Sequence, residues 1–277
     1  MTAGLAVEVG QFAASVRGAA ERHPVEDVWR PGAHADDRNP ALRDAVLRLG
    51  WDEVGGDANL LPFVAPAALE LGRRFAPLDL VDTLLGGALM VDGYARYVGK
   101  GDRVVEVAGS RLRVRALVDV EPVGYIDALA VHRVHAVEDE TTIEGVPANA
   151  RLNAWIAASV GYLAGLSTEA LRLATDHAKS RVAFGRTLAA LEPVQQHLAT
   201  AATLVDGVCL LVEEPVTPAG LAHAGEAACR VAALCQQVVG AIGYTLEFPL
   251  QRAFRRSRAV QLWADATLAA MAPGGRA

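Results

Sequence analysis

The chain has 277 residues, 52% of them hydrophobic and 21% charged, with a formal net charge of −6. That length can bury a sizeable core in one large or two small domains. The negative charge excludes a basic surface that would draw the chain to nucleic acid or anionic lipid. Much of the apolar excess is alanine, which favours closely packed helices, so a mainly helical, oligomeric protein is expected.

Lys100 and Lys179 are the only lysines, so nearly all positive charge is arginine. That suits forked phosphate or carboxylate contacts and equally fits the bias of a GC-rich genome. Cys209, Cys229 and Cys235 are odd in number, lack CxxC spacing and fall in helical patterns. They read as reduced core residues. No basic start followed by an apolar run opens the chain, and no apolar stretch approaches a membrane span. A soluble, cytoplasmic protein is expected.

In chain order, Leu5, Val9, Phe12 and Val16 mark a first helix over residues 3 to 20. "HPVEDVWRPGAHADDRNP" is broken by three prolines and reads as an irregular connection. Helical spacing resumes with Leu42, Val46 and Leu49, and Gly50 follows the helix end. "NLLPFVAPAALELGRRFAPLDLVDTLLGGALM" predicts two more helices parted near Ala76 and Pro77. The texture then turns Val- and Ile-rich, with short alternations and turn signals, predicting strands over roughly 103 to 145. They are too few for a complete sandwich or barrel of about seven or more strands. Helical periodicity returns at Ala148 in four segments: one to about Val182, one over 191 to 212, and two that follow Pro218 and Pro249. Four long helices with short connections predict an antiparallel bundle. The expected domains are an N-terminal helical region over 1–95, a short β region over 96–147 and the bundle over 148–277.

"ATDHAKSRVAFGRTLAALEPVQQHLA" and "QQVVGAIGYTLEFPLQRAFRRSRA" carry a resemblance. With the order helical region, β region, four-helix bundle, they resemble the acyl-CoA dehydrogenase family, whose marks are an A-x-x-Y-x-x-x-R-x-x-FG segment and a later Gln-x-x-GG-x-G-[YF]-x-x-E-x-P turn. The resemblance is clear over about 150 to 263 and looser over "LGWDEV…LELGRRFAPLDL". It implies the family's fold with a truncated middle β region, and FAD held across a subunit boundary. Arg181 would then meet the pyrophosphate, Phe184 would lie against the cofactor, and Gln237 and Gly240 would approach its adenine half. An arginine near a helix end can fork onto phosphate, and an aromatic beside glycine can cover a flat ring while the backbone approaches closely.

The chemistry of that family needs a carboxylate base, and here the pattern departs. Counting on from Gly240 without gaps, the usual base falls on Ala264, and the alternative family position on the first bundle helix falls on Trp155 with Ile156 beside it. No catalytic residue is therefore expected in this chain. Asp265 would need a one-residue shift to serve. Glu192 stands where the family has glutamine and Ala241 replaces the second glycine of the GG pair. The β region is also too short for the "TEPxxGSD"-like flavin strand. The resemblance is closest to the reduced subunit of α2β2 actinobacterial enzymes, including those of steroid side-chain β-oxidation. It implies a full-length acyl-CoA dehydrogenase partner that holds the acyl-CoA, and an electron-transfer flavoprotein as acceptor. Two alternatives stand beside it: a scaffold without cofactor, favoured by Glu192 and Ala241, and a homo-oligomeric enzyme of altered chemistry with Asp265 as base.

Smaller constellations are read more plainly. His132 and His135 form HxxH on a strand, where positions three apart face opposite sides, so no metal site is expected. His177 and His197 flank the signature turn and read as solvated helix-end residues. Arg252, Arg255, Arg256 and Arg258 form either a phosphate-binding group or a solvated helix face with ion pairs to the bundle. Ser167 and Ser180 lack a nucleophile-elbow context.

Overall fold

The fold is that of a computed structural model, which describes residues 3–183 and 185–272. The N-terminal third contains five helices: α1 (Ala3–Arg22), α2 (Pro40–Leu47), α3 (Trp51–Val54), α4 (Leu61–Arg73) and α5 (Asp79–Asp82). Asn39 caps α2 by accepting from the Leu42 N–H at 3.0 Å, with Pro40 in the first turn, where a missing N–H costs nothing. The helix stops at Leu47, and Leu49, expected on its apolar face, is exposed. Gly50 has a φ of 86°, the left-handed backbone that ends helices and favours glycine.

The region expected to be helical up to Met90 instead turns to strand at Ala88. Strands β1 (Ala88–Val91) and β2 (Tyr94–Arg96) form a hairpin through Asp92 and Gly93, both with positive φ. An Asp-Gly pair with φ above zero at both positions matches the twist of a two-residue hairpin. β3 (Arg103–Ala108), β4 (Arg111–Pro122) and β5 (Val131–Ile143) follow, and the five strands close in the order β1-β2-β5-β4-β3. This corrects the expectation that the strands are too few to close. Closure needs the overlooked hairpin, a parallel β1–β3 pairing, and the register shifts between β4 and β5 at Arg115/Ala116, Leu117/Asp119 and Asp119/Val120. Such bulges sharpen the bend of long strands. Met90, Ala95, Val98, Val104 and Leu117 fill the small barrel.

The C-terminal half is α6 (Gly145–Ser180), α7 (Glu192–Glu213), α8 (Pro218–Val239) and α9 (Leu250–Met271), with a two-stranded ribbon, β6 (Val182–Ala183) and β7 (Arg186–Thr187), between the first two. Thr217 caps α8 by accepting from the Gly220 N–H at 3.0 Å. The three cysteines are free and helical.

The N-terminal helices dock on the bundle through α4 and α6, whose backbones nearly touch. A Cβ on Gly161 would lie 2.0 Å from the Ala65 carbonyl oxygen, one on Gly165 2.1 Å from that of Leu69, and one on Gly72 2.1 Å from that of Tyr162. Glycines four apart let helices approach to backbone contact. A rigid carbonyl cannot swing away, so a methyl here separates the two helices. Gly165→Ala should lower stability by about 1–3 kcal/mol, read as a lower urea midpoint at unchanged slope, whereas Gly10→Ala, in open space on α1, should not.

Candidate functional site

The signature segment is a tight hairpin rather than a plain helix stop. At the end of α6 the Arg181 N–H donates to the His177 carbonyl at 2.9 Å and the backbone leaves the helix extended. Val182 pairs with Thr187 and Ala183 with Arg186, and the Leu188 N–H returns to the Arg181 carbonyl at 2.9 Å. Gly185, with a φ of 76°, makes the reversal. Phe184 lies outside the described residues. Arg181, Val182 and Arg186 are exposed, and neither arginine has an ion pair among the described residues.

The second segment ends α8. Gly240 adopts φ 73° and ψ −151°, a conformation open to glycine, and nothing lies within 4 Å of where its Cβ would be. Gln237 is exposed, whereas Gln236 is buried and its Nε2 donates to the Gly243 carbonyl at 2.9 Å. Gly243 has no room for a Cβ, which would sit 2.2 Å from Gln236 Oε1. The His177 and Phe248 rings meet edge to face at 5.5 Å and bring the two segments to one end of the bundle. His177 is thus half-buried rather than solvated, and burial with the nearby Arg181 cation holds its pKa below the usual value.

Arg181 and Gln237 are exposed side chains and Gly240 is open backbone. Glu192, at the start of α7, is exposed and donates nothing, its carboxylate accepting from Gln196 Nε2 at 3.3 Å. Ala241 is exposed as well.

The positions where a base would stand tell a different story. Ala264 and Trp155 are each 1% exposed. Between their helices lies an ion pair that the sequence reading missed: Arg96 donates from Nε and Nη2 to the Asp82 carboxylate at 2.7 and 2.6 Å, both side chains 2% exposed. The Trp155 Nε1–H adds a third bond to Asp82 at 3.3 Å, and the Arg96 guanidinium lies 4.9 Å from the centre of the Trp263 ring. Such a cation–aromatic contact is strongest away from water. Four parts of the chain meet here: α5 gives Asp82, β2 gives Arg96, α6 gives Trp155 and α9 gives Trp263. A charge inside "LDLVDTLL" and another inside "YARYVG" were the available signals, since buried charges are paired. Asp265 points elsewhere: it is exposed and does not line the roughly 500 Å³ cleft between the barrel and α9 that Leu262, Trp263 and Ala266 border.

The arginine run on α9 is neither a phosphate group nor a solvated face. Arg256 is 3% exposed and binds Asp127 and Asp37, the Ala76 carbonyl at 3.0 Å and the Tyr162 hydroxyl at 2.8 Å. Arg255 stacks 4.0 Å over Trp29 and pairs with Asp27, and Arg252 bonds the Val25 carbonyl at 3.0 Å. These arginines strap the irregular connection 23–39 onto α9. Arg258 alone is exposed, bonded to Gln261. His132 is buried and its Nδ1 meets the Ala130 carbonyl at 2.9 Å, while the exposed His135 pairs with Glu121 at 3.3 Å.

With this geometry in view, the relatives can be placed. Residues 148–264 match the acyl-CoA dehydrogenase C-terminal domain. The bundle is thus similar to the C-terminal domain of acyl-CoA dehydrogenases over less than half of the chain, and the chain as a whole has the acyl-CoA dehydrogenase fold. Cyclohex-1-ene-1-carbonyl-CoA dehydrogenase of Syntrophus aciditrophicus (strain SB) is 30% identical over 112 residues, 36% of this chain and 27% of that relative. The alignment thus spans about a quarter of the curated relative. Among solved structures, the Tcur3481-Tcur3483 steroid ACAD superposes with a TM-score of 0.69 at 16% identity over 96% of this chain and 97% of that one. The ChsE4-ChsE5 complex from Mycobacterium tuberculosis gives 0.66 at 14% identity over 95% and 94%.

Because Asp82 and Arg96 satisfy one another in the dry interior, removing one partner strands the other. Arg96→Leu should cost about 3–5 kcal/mol, and adding Asp82→Leu should recover much of that loss. Urea denaturation of the two single variants and the double checks it. Additive losses would mean the two groups do not depend on each other.

Proposed function

We propose that this chain is the non-catalytic subunit of an FAD-dependent acyl-CoA dehydrogenase, paired in an α2β2 assembly with a full-length subunit that supplies the base and the acyl-CoA site. The observation that carries the reading is a contrast. Both base positions are closed and hold no carboxylate, while Arg181 is exposed and has no ion pair among the described residues. FAD, when bound, would supply a hydride acceptor, and the partner's carboxylate would serve as the base for the α-proton. Arg181 would hold the FAD pyrophosphate through charge-assisted bonds, Gln237 and the open backbone at Gly240 would admit the adenine half, and Phe184 would cover the cofactor. Two structural neighbours support pairing and substrate class, one a two-component complex and the other a steroid enzyme. The substrate is thus a steroid side-chain or fatty acyl-CoA, and electrons leave to an electron-transfer flavoprotein.

Among the described residues no helix is long and apolar enough to cross a membrane, which agrees with a cytoplasmic role in β-oxidation. Glu192 and Ala241 still favour the reading of a scaffold without cofactor, and one experiment separates the two. The chain is co-expressed with its full-length partner and the flavin absorbance is recorded for the native complex and for Arg181→Ala. Arg181 is exposed and unpaired, so the variant should assemble normally yet bind FAD about 10- to 100-fold more weakly, the effect of losing one hydrogen bond to a charged group. An unchanged spectrum and affinity would leave the chain a scaffold.

A further inference from the structure

Arg186, on the second strand of the signature ribbon, has no part in the contacts assigned above. From His177 to Leu191 the chain reads "HAKSRVAFGRTLAAL", which holds the cations Lys179, Arg181 and Arg186 and no carboxylate. In a protein of net charge −6 this is a local reversal of sign. Lys179, Arg181 and Arg186 are all exposed. Neither arginine side chain has an ion pair or a hydrogen bond among the described residues.

The register of the ribbon fixes the face on which each arginine stands. Ala183 lies opposite Arg186, and the Leu188 N–H donates to the Arg181 carbonyl at 2.9 Å, with Arg181 in extended backbone. Residues opposite one another, and residues two apart on one strand, share a face. Arg181, Ala183 and Arg186 therefore share one face, and Val182 and Thr187 the other. Arg181 and Arg186 are diagonal neighbours, a relation of roughly 7–8 Å that long side chains can bridge. Only the methyl of Ala183 stands between them on that face. Two like charges so placed repel each other, and an anion that accepts from both removes the cost.

We propose that Arg186 is a second anion-binding residue beside Arg181, and that the two form a clamp for a diphosphate diester, the group shared by FAD and coenzyme A. Such a diester carries one negative charge on each of two adjacent phosphates, and each phosphate offers two free oxygens to a guanidinium fork. A single carboxylate occupies one fork and leaves the other cation unmatched. Where the clamp takes FAD, the inference rests on the function proposed above: Arg181 meets one phosphate of the pyrophosphate and Arg186 the other.

The test is made on the co-expressed complex, depleted of flavin, by measuring dissociation constants for FAD and for coenzyme A. The native complex is compared with Arg181→Ala, Arg186→Ala, Arg186→Lys and Lys179→Ala. Each arginine-to-alanine change should weaken binding of the same ligand about 10- to 100-fold, the effect of losing a hydrogen bond to a charged group. Arg186→Lys should recover only part of the loss, because an ammonium cannot fork. Lys179→Ala removes an equal charge from α6 instead of the ribbon face and should cost much less. A loss toward FAD places the clamp on the cofactor, whereas a loss toward coenzyme A alone upholds the clamp and removes the FAD reading. Affinity unchanged in Arg186→Ala but weakened in Arg181→Ala would overturn the inference and leave the FAD reading standing. An equal loss in Lys179→Ala would show a diffuse field instead of a clamp. Weaker subunit association in Arg186→Ala at unchanged ligand affinity would assign the arginine to an ion pair with the partner. Either result would also overturn the inference.

Discussion

The structure depends on one buried ion pair. Asp82 and Arg96 sit between two indoles where the N-terminal helices, the barrel and the bundle meet. Taking both charges from water costs several kcal/mol, recovered only because Asp82 receives three donors and the guanidinium rests on an aromatic face. The pair does not serve stability so much as occupancy. It fills the space between α6 and α9 with paired opposite charges, and Ala264 and Trp155 beside it are buried.

A second charge network, also buried at its centre, joins α9 to the N-terminal connection. Arg256 ties α9 to Asp37 and Asp127, and Arg255 and Arg252 hold the chain around Asp27. With the glycine contacts of α4 on α6, these interactions leave little freedom between the three parts of the chain. Rigid elements that present an exposed, unpaired arginine suit a site completed by another subunit, because the partner meets a preorganised surface.

Much of this was legible beforehand. Helix periodicity, Pro218 and Pro249 placed the bundle, and the two signature segments carried the resemblance that its match to the acyl-CoA dehydrogenase C-terminal domain supports. Three features were not legible, each for a physical reason. The β1–β2 hairpin hid in an apolar run, "GGALMVDGYAR", where the Asp92-Gly93 turn signal was outweighed by helix-like composition. Barrel closure depends on bulges in β4 and β5, and register shifts leave no mark in an alternation pattern. Arg252, Arg255 and Arg256 share one face of α9, but the carboxylates paired with Arg255 and Arg256 lie more than a hundred residues away, so sequence spacing could not tell a solvated stripe from a buried strap. The two-residue strands of the ribbon, Val182–Ala183 and Arg186–Thr187, are too short to leave any periodicity.

The central claim is that this chain contributes to a flavin site without doing the chemistry. The most direct measurement is anaerobic titration of the assembled complex with an acyl-CoA, following flavin bleaching, before and after the partner's base is replaced by glutamine. If this chain has no base of its own, the replacement abolishes bleaching of every flavin in the complex. Bleaching that persists, in proportion to the copies of this chain, would show a working base within it and contradict the account.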